Sequence, residues 1–238
     1  MTGPTKVVPR EYLNLARVLD TAVTMADEAG IEAVSMRNLA QRLGVVPMAL
    51  YKHVANKEQL LDGLVDVVVR EIAPPDPTLD WKGAVRARIL SARAALLRHP
   101  WARRVMESKV TPTPVVLDYI ESTIATLVAG GLSVDLTHHA LHALGSRLFG
   151  FSQELYNDSK SAEPMPLEAM QMLAERYPHS AAVAASRTHE QSSVVGPGCD
   201  DQFEFEFALD IVLDGLERLH QQGWRSSTRS TTQQQVVG

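Results

Sequence analysis

Several things are scarce in this 238-residue sequence, and each scarcity closes a possibility. Cys199 is the single cysteine, which excludes an intrachain disulfide and any cysteine-based zinc cluster; its GPGCDD setting reads as a loop thiol. Aromatic residues make up only 5%, while Ala, Leu and Val dominate, a bias towards helix. No uninterrupted apolar run approaches the roughly 20 residues of a membrane span. The opening MTGPTKVVPR holds no apolar signal core, so a cytoplasmic protein without membrane attachment is expected. No stretch alternates as a half-buried strand does, and there is no internal repeat or phosphate-cradling glycine loop. Ser146, in LGSRLFG, lacks the strand that must precede a nucleophile elbow. His138, His139 and His142 are the one histidine cluster. His138 and His142 share a helix face at i and i+4, but neither the glutamate of the metalloprotease pattern nor a third ligand accompanies them. No catalytic residue, cofactor or metal site is therefore expected.

A local scarcity points the other way. Between Ser35 and Lys57 there is no Asp or Glu, against four basic residues, Arg37, Arg42, Lys52 and Lys57. Ser35 is a good helix N-cap, and Met36, Leu39, Ala40 and Leu43 then fall on one apolar stripe of a two-turn helix. Gly44 follows where a helix commonly ends in the left-handed conformation. Pro47 suits the first turn of a second helix, although Val46 before it is a poor cap. Steps of roughly 100° per residue bury Leu50 and Val54 and turn Met48, Ala49, Tyr51 and Lys52 outward, with His53 at the margin. A protruding helix on an acid-free basic surface meets the requirements of a DNA major groove, where phosphates supply affinity and the helix reads base edges. An ordinary helical hairpin with a solvated charged face is the plainer alternative.

The net charge of −5 is unevenly spread. Residues 1–57 hold 7 Lys/Arg against 5 Asp/Glu, a net of +2, and residues 58–238 hold 16 against 23, a net of −7. That asymmetry fits a DNA-facing end and an acidic remainder. Residues 1–10, with Lys6 and Arg10, read as a flexible arm, and 11–57 as a three-helix helix-turn-helix domain whose first helix runs from Glu11 to Ala29. Asn56 caps a connector helix over 58–73, ended by the PPDP run at 74–77. Residues 74–222 read as a larger helical domain. It contains helices over 81–97, 101–109 and 114–130, a long one from Val134 to Tyr156, and a last one from Phe203 to Gln221. Residues 157–200 form a mobile excursion rich in Ser, Pro, Gly and Ala with one or two weak helices (167–176 and 181–187), and 223–238 a disordered tail. The fold class is all-α. The last helix is apolar over so much of its girth, with Leu209, Val212 and Leu216 on one stripe and Phe203, Phe207 and Ile211 on another, that a four-helix bundle with a second copy is expected.

The runs LAQRLGV at 39–45 and ALYKHVANKEQLLD at 49–62, preceded by EAGIEAVSMR, resemble the tetracycline-repressor (TetR) family; the match covers about a quarter of the chain. ALHALGSRLFGF and FALDIVLDGLERL resemble the tetracycline-repressor branch more weakly. The resemblance implies an all-helical homodimer that binds a palindromic double-stranded operator and is released by a small organic effector. By position, it implies that Arg37 reaches a base, that Pro47, Met48 and Ala49 occupy base-reading places, and that Tyr51, Lys52, His53 and Lys57 meet phosphates and nearby bases. Pro47 and Ala49 replace polar residues of the tetracycline-repressor pattern. They can touch a thymine methyl but cannot form a bidentate hydrogen bond, so the operator should differ from the tetracycline operator.

The same resemblance outlines an effector pocket at Arg88, Ala92, Met106, Ile120, Thr123 and Glu154. Met106 stands where the tetracycline repressor has a metal-coordinating histidine, Arg88 replaces an amide and Ala92 an aromatic. A thioether is a poor ligand for a hard cation. Hence neither magnesium–tetracycline nor an obligatory metal is expected, but an organic molecule with an anionic or acceptor group facing Arg88. Trp101, Tyr119 and Phe149 are pocket-lining candidates, but such residues are more often plain core. Two other readings stay open: a DNA-binding regulator with no small-molecule effector, and a helical enzyme whose hairpin is only structural.

Overall fold

The computed structural model describes residues 12–150, 167–185 and 201–227. The arm at 1–10, Glu154, Cys199 and the tail beyond 227 lie outside the described residues, as does the part of the long helix expected past Gly150. Every regular element among the described residues is helical. The chain divides into two compact units, residues 1–78 with 87–126, and residues 79–86 with 127–238.

In the first unit, α1 (Leu15–Ala29) begins later than Glu11 because Asn14 is its cap, its Oδ1 accepting from Arg17 N–H at 2.8 Å. A 3-10 turn (Ile31–Ala33) leads to α2 (Met36–Leu43), capped by Ser35 Oγ, which accepts from Asn38 N–H at 3.1 Å. Gly44 ends α2 at φ 68°, where a side chain would be strained, and its N–H reaches the Ala40 and Gln41 carbonyls. The second hairpin helix, α3 (Pro47–Leu50), is a single turn and not a helix through Val54. His53 and Val54 N–H both turn onto the Leu50 carbonyl, and Val46 offers no side-chain cap, so nothing extends it in either direction. Leu50 and Val54 are nevertheless buried as the spacing requires. In α4 (Lys57–Arg70), Asn56 Oδ1 accepts from Gln59 N–H at 2.8 Å, and the Gln59 side chain accepts from Ala55 N–H.

Val18, Leu19 and Ala22 of α1, Leu39 and Ala40 of α2, Leu50, Val54, and Leu60, Leu64, Val65 and Val68 of α4 form one apolar core. Each fully buried leucine contributes about 1.5–3 kcal/mol. Ala95 of α5 (Trp81–Arg98) and Trp101, Ala102 and Val105 of α6 (Pro100–Glu107) belong to the same core. A polar clamp fastens it at one side. His99 Nδ1 lies 2.8 Å from Asp27 Oδ1 and its Nε2 3.1 Å from Glu71 Oε1. Trp101 Nε1–H donates to the same Asp27 oxygen at 2.7 Å, and Arg98 Nε–H donates to Glu71 at 3.1 Å. α1, the end of α4 and the α5–α6 turn are thereby joined.

The second unit holds the first turns of α5, the end of α7 (Pro114–Ala129), α8 (Val134–Gly150), α9 (Leu167–Arg176), α10 (Pro178–Ala185) and α11 (Asp201–Gln221). α8 packs on α11, with Leu136, Ala140 and Leu144 buried on one and Phe205, Leu209, Leu213 and Leu216 on the other. Lys82 pairs with Asp214 and Glu217, and Arg86 with Glu206 and Asp210, all at 2.6–2.7 Å, so two turns of α5 are laced to α11. Past α11 the chain turns at Gly223 (φ 63°), Trp224 N–H donates to Leu219 O, and Ser226 donates to Asp135. These residues of the expected tail are held.

Candidate DNA-binding face and effector pocket

Burying Leu39, Ala40, Leu50 and Val54 fixes which side of the α2–α3 hairpin remains open. Arg37, Pro47, Met48, Tyr51, Lys52 and Lys57 are exposed, and Ala49 and His53 half-buried, so the eight residues named from sequence lie on the hairpin, the turn after it and the first residue of α4. Among the described residues, none of Arg37, Lys52 and Lys57 is ion-paired, which leaves three free cations around one short helix. Arg42 differs. Its Nη2 donates to both Glu28 oxygens, at 2.8 and 3.0 Å, so an acid from α1 neutralises a residue of the acid-free stretch. Counting charges along the hairpin alone misses Glu28. Val46, which the sequence marks only as a weak cap, is nearly as exposed as Met48.

Of the expected pocket residues, the structure brings Arg88 and Thr123 together. Arg88 Nε–H donates to Thr123 Oγ1 at 3.1 Å, Nη1–H to Ala73 O at 2.8 Å, and Nη2–H to Ser122 Oγ at 2.6 Å and Tyr119 O at 3.2 Å. The guanidinium lies 4.5 Å from the centre of the Tyr119 ring. All four acceptors are neutral, and among the described residues no carboxylate pairs with this buried cation. Burial pulls Arg88 below its ordinary pKa, opposed only by Tyr119, while burial pushes the Tyr119 hydroxyl up. Ser122 and Ala73 were not predicted; a hydroxyl and a carbonyl carry no signal at the sequence level.

Ala92 is wholly buried, Ile120 half-buried, and Glu154 lies outside the described residues. Met106 is half-buried against the core and lines a separate cavity of about 150 Å³ with Val65, Lys109, Thr113 and Val116. That volume is below the roughly 300 Å³ at which pockets begin to enclose a drug-sized ligand. Trp101 is core, bonded to Asp27. At its cavity Met106 offers sulfur, a poor ligand for magnesium. The His138 and His142 rings stand edge-on, 4.8 Å apart, on the exposed side of α8.

On α11, Leu209 and Leu216 of the expected dimer stripe are buried within the chain, and Val212 is half-buried. The row left open is Phe203, Phe207 and Ile211, 62%, 55% and 56% exposed. The helical period gave both stripes; only the position of α8 decides which of them is already covered.

A capped helix, a left-handed glycine and a short second helix with cations near it in the chain, unpaired among the described residues, define a helix-turn-helix DNA-binding protein with further helical structure beyond it. Comparison with known proteins agrees. Residues 18–64 match the bacterial regulatory proteins of the tetR family, and residues 73–220 match the tetracyclin repressor-like C-terminal domain. The chain is 31% identical over 225 residues to the HTH-type transcriptional repressor DrrR1 of Streptomyces coeruleorubidus, covering 89% of this chain and 80% of that one. It is 26% identical to the class C tetracycline repressor of Escherichia coli, over 85% and 90% of the two chains. Apo ActR from Streptomyces coelicolor superposes with a TM-score of 0.65 at 26% identity, over 89% and 98%; ActR has also been solved with actinorhodin and with (S)-DNPA. This chain belongs to the tetracycline-repressor family of transcriptional repressors, which are not enzymes. Among the described residues no helix is long and apolar enough to cross a membrane.

Proposed function

We propose that this repressor acts as a homodimer on a palindromic operator, and that an organic effector other than magnesium–tetracycline releases it. The observation that carries the DNA half is the trio of exposed cations Arg37, Lys52 and Lys57, unpaired among the described residues. Lys57→Ala should weaken binding to every duplex and lower the slope of log affinity against log salt by about one. Arg37→Ala should, in addition, relax sequence preference. Operator affinity unchanged in both variants contradicts this docking.

The observation behind the effector is Arg88. A buried cation surrounded by neutral acceptors is costly, and an anionic group on a ligand would relieve it. ActR binds actinorhodin and (S)-DNPA, and a TetR variant from Acinetobacter baumannii binds minocycline, which makes these three the first compounds to try. Melting curves should shift with an anionic aromatic compound in the wild type and much less in Arg88→Gln. A magnesium-dependent shift with minocycline goes against this reading. For assembly, the open row Phe203, Phe207 and Ile211 supports pairing through α11, with residues 11–57 as reading head, 58–73 as connector and 74–222 as effector and pairing domain. Ile211→Lys should sediment as a monomer; an unchanged dimer places the interface elsewhere.

A further inference from the structure

The reading edge of this hairpin is short of hydrogen-bonding groups. Val46 and Met48 are 67% and 71% exposed, Pro47 between them is exposed, and none of the three side chains can donate or strongly accept a hydrogen bond. Ala49, next along, adds only a methyl. Three consecutive exposed apolar residues at the start of a helix are costly to leave in water, and the first unit covers none of them, although it buries Leu50 at the end of that turn and Val54 just after it. Around them stand Arg37, Lys52 and Lys57, unpaired among the described residues. An apolar tip inside a cationic collar has a definite complement. The collar fits phosphates. Of the groups that a base pair presents in the major groove, the one apolar group is the thymine 5-methyl.

We infer that Val46 and Met48, flanking Pro47, form an apolar reader of thymine methyl groups. Sequence selection at the centre of each half-site then comes from methyl contact, while Arg37 supplies the polar readout beside it. The inference rests on α2–α3 being the DNA face, and its consequence is specific. Replacing thymine by deoxyuridine removes the methyl and keeps every hydrogen-bonding group of the base pair. Binding should fall at those positions and at no others.

The test uses the full chain and a duplex that the protein itself enriches from a random pool, resynthesised with deoxyuridine at one thymine position at a time. One or two positions in each half-site should lose about fourfold in affinity per methyl, the equivalent of about 0.8 kcal/mol for one buried methyl-sized group. Val46→Thr and Met48→Ala should each reduce the discrimination between the thymine and deoxyuridine duplexes. Val46→Thr is nearly isosteric and places a capping hydroxyl before α3, so its melting temperature should hold or rise while the discrimination falls. Equal affinity of the wild type for both duplexes overturns the inference. If Lys57→Ala still weakens binding in that case, the DNA face stands and only the methyl reading is lost. If no duplex is enriched at all, both fall together.

Discussion

At the scale of single residues, His99 shows how much of the first unit depends on one side chain. Its ring is buried and both nitrogens face carboxylates on different elements, Asp27 of α1 and Glu71 just past α4. Burial works against the Glu71 charge, but Arg98 and His99 overcome that and hold its pKa below the ordinary value. Replacing His99 by Phe keeps the volume and removes both contacts, leaving Asp27 with Trp101 alone and Glu71 with Arg98 alone. A loss of about 1–3 kcal/mol is expected, visible as a lower melting temperature. An unchanged melting curve means that water replaces the imidazole without cost. Nothing in the sequence announces this clamp, because its members lie far apart in the chain and each has a blander reading. Arg37 and Lys57 were legible, since a local turn motif fixes their exposure. Arg42 was misleading because its partner, Glu28, comes from another helix.

Elements show the same division between local and non-local information. Caps and stops are local: Ser35, Gly44, Asn56 and Gly30 act where the sequence puts them. The start expected at Glu11 gives way to the Asn14 cap, which lies just before the first apolar position of the helix, Leu15. Close approaches are non-local. A Cβ at Gly130 would lie 2.4 Å from Trp81 Cβ, near the backbone of α5, where no flexible side chain can give way. Gly130→Ala should therefore destabilise the second unit by about 1–3 kcal/mol, as overpacking does; a stability gain in thermal denaturation contradicts that contact.

The α5–α11 lacing makes a pH prediction. Glu206 is held below its ordinary pKa by hydrogen bonds from Gln202 and Arg86, and Asp210 by its hydrogen bond to Arg86. Both folded values are lowered, so the stability they add is complete above the ordinary carboxylate range. It is lost as pH falls through the lowered values. Each pair is partly exposed, and solvent screening keeps its contribution within about 1 kcal/mol. Melting temperature should drop on acidification below about pH 4 less steeply in Arg86→Gln than in the wild type. Identical pH profiles mean that the lacing carries no net stability.

For the whole molecule, composition foretold an all-helical chain with a basic leading end and an acidic remainder, and the described residues agree in fold. The pocket was less legible. Which atoms surround Arg88 depends on Tyr119, Ser122 and Ala73 arriving from two other stretches of chain, which no linear pattern encodes. The pairing face was half legible, because helical period identifies two apolar stripes and tertiary packing covers one. Pairing also bears on recognition. One short helix reads few bases, and two heads on a two-fold axis double the contacts while fixing their spacing.

The most direct measurement is a footprint of the purified chain on the DNA upstream of its own gene, at low ionic strength. The account predicts two protected half-sites related by inverted symmetry, centred roughly 34–36 Å or a multiple of that apart, with protection lost in Lys57→Ala as salt rises. A uniformly cleaved promoter region, with no protected site at any protein concentration, contradicts it.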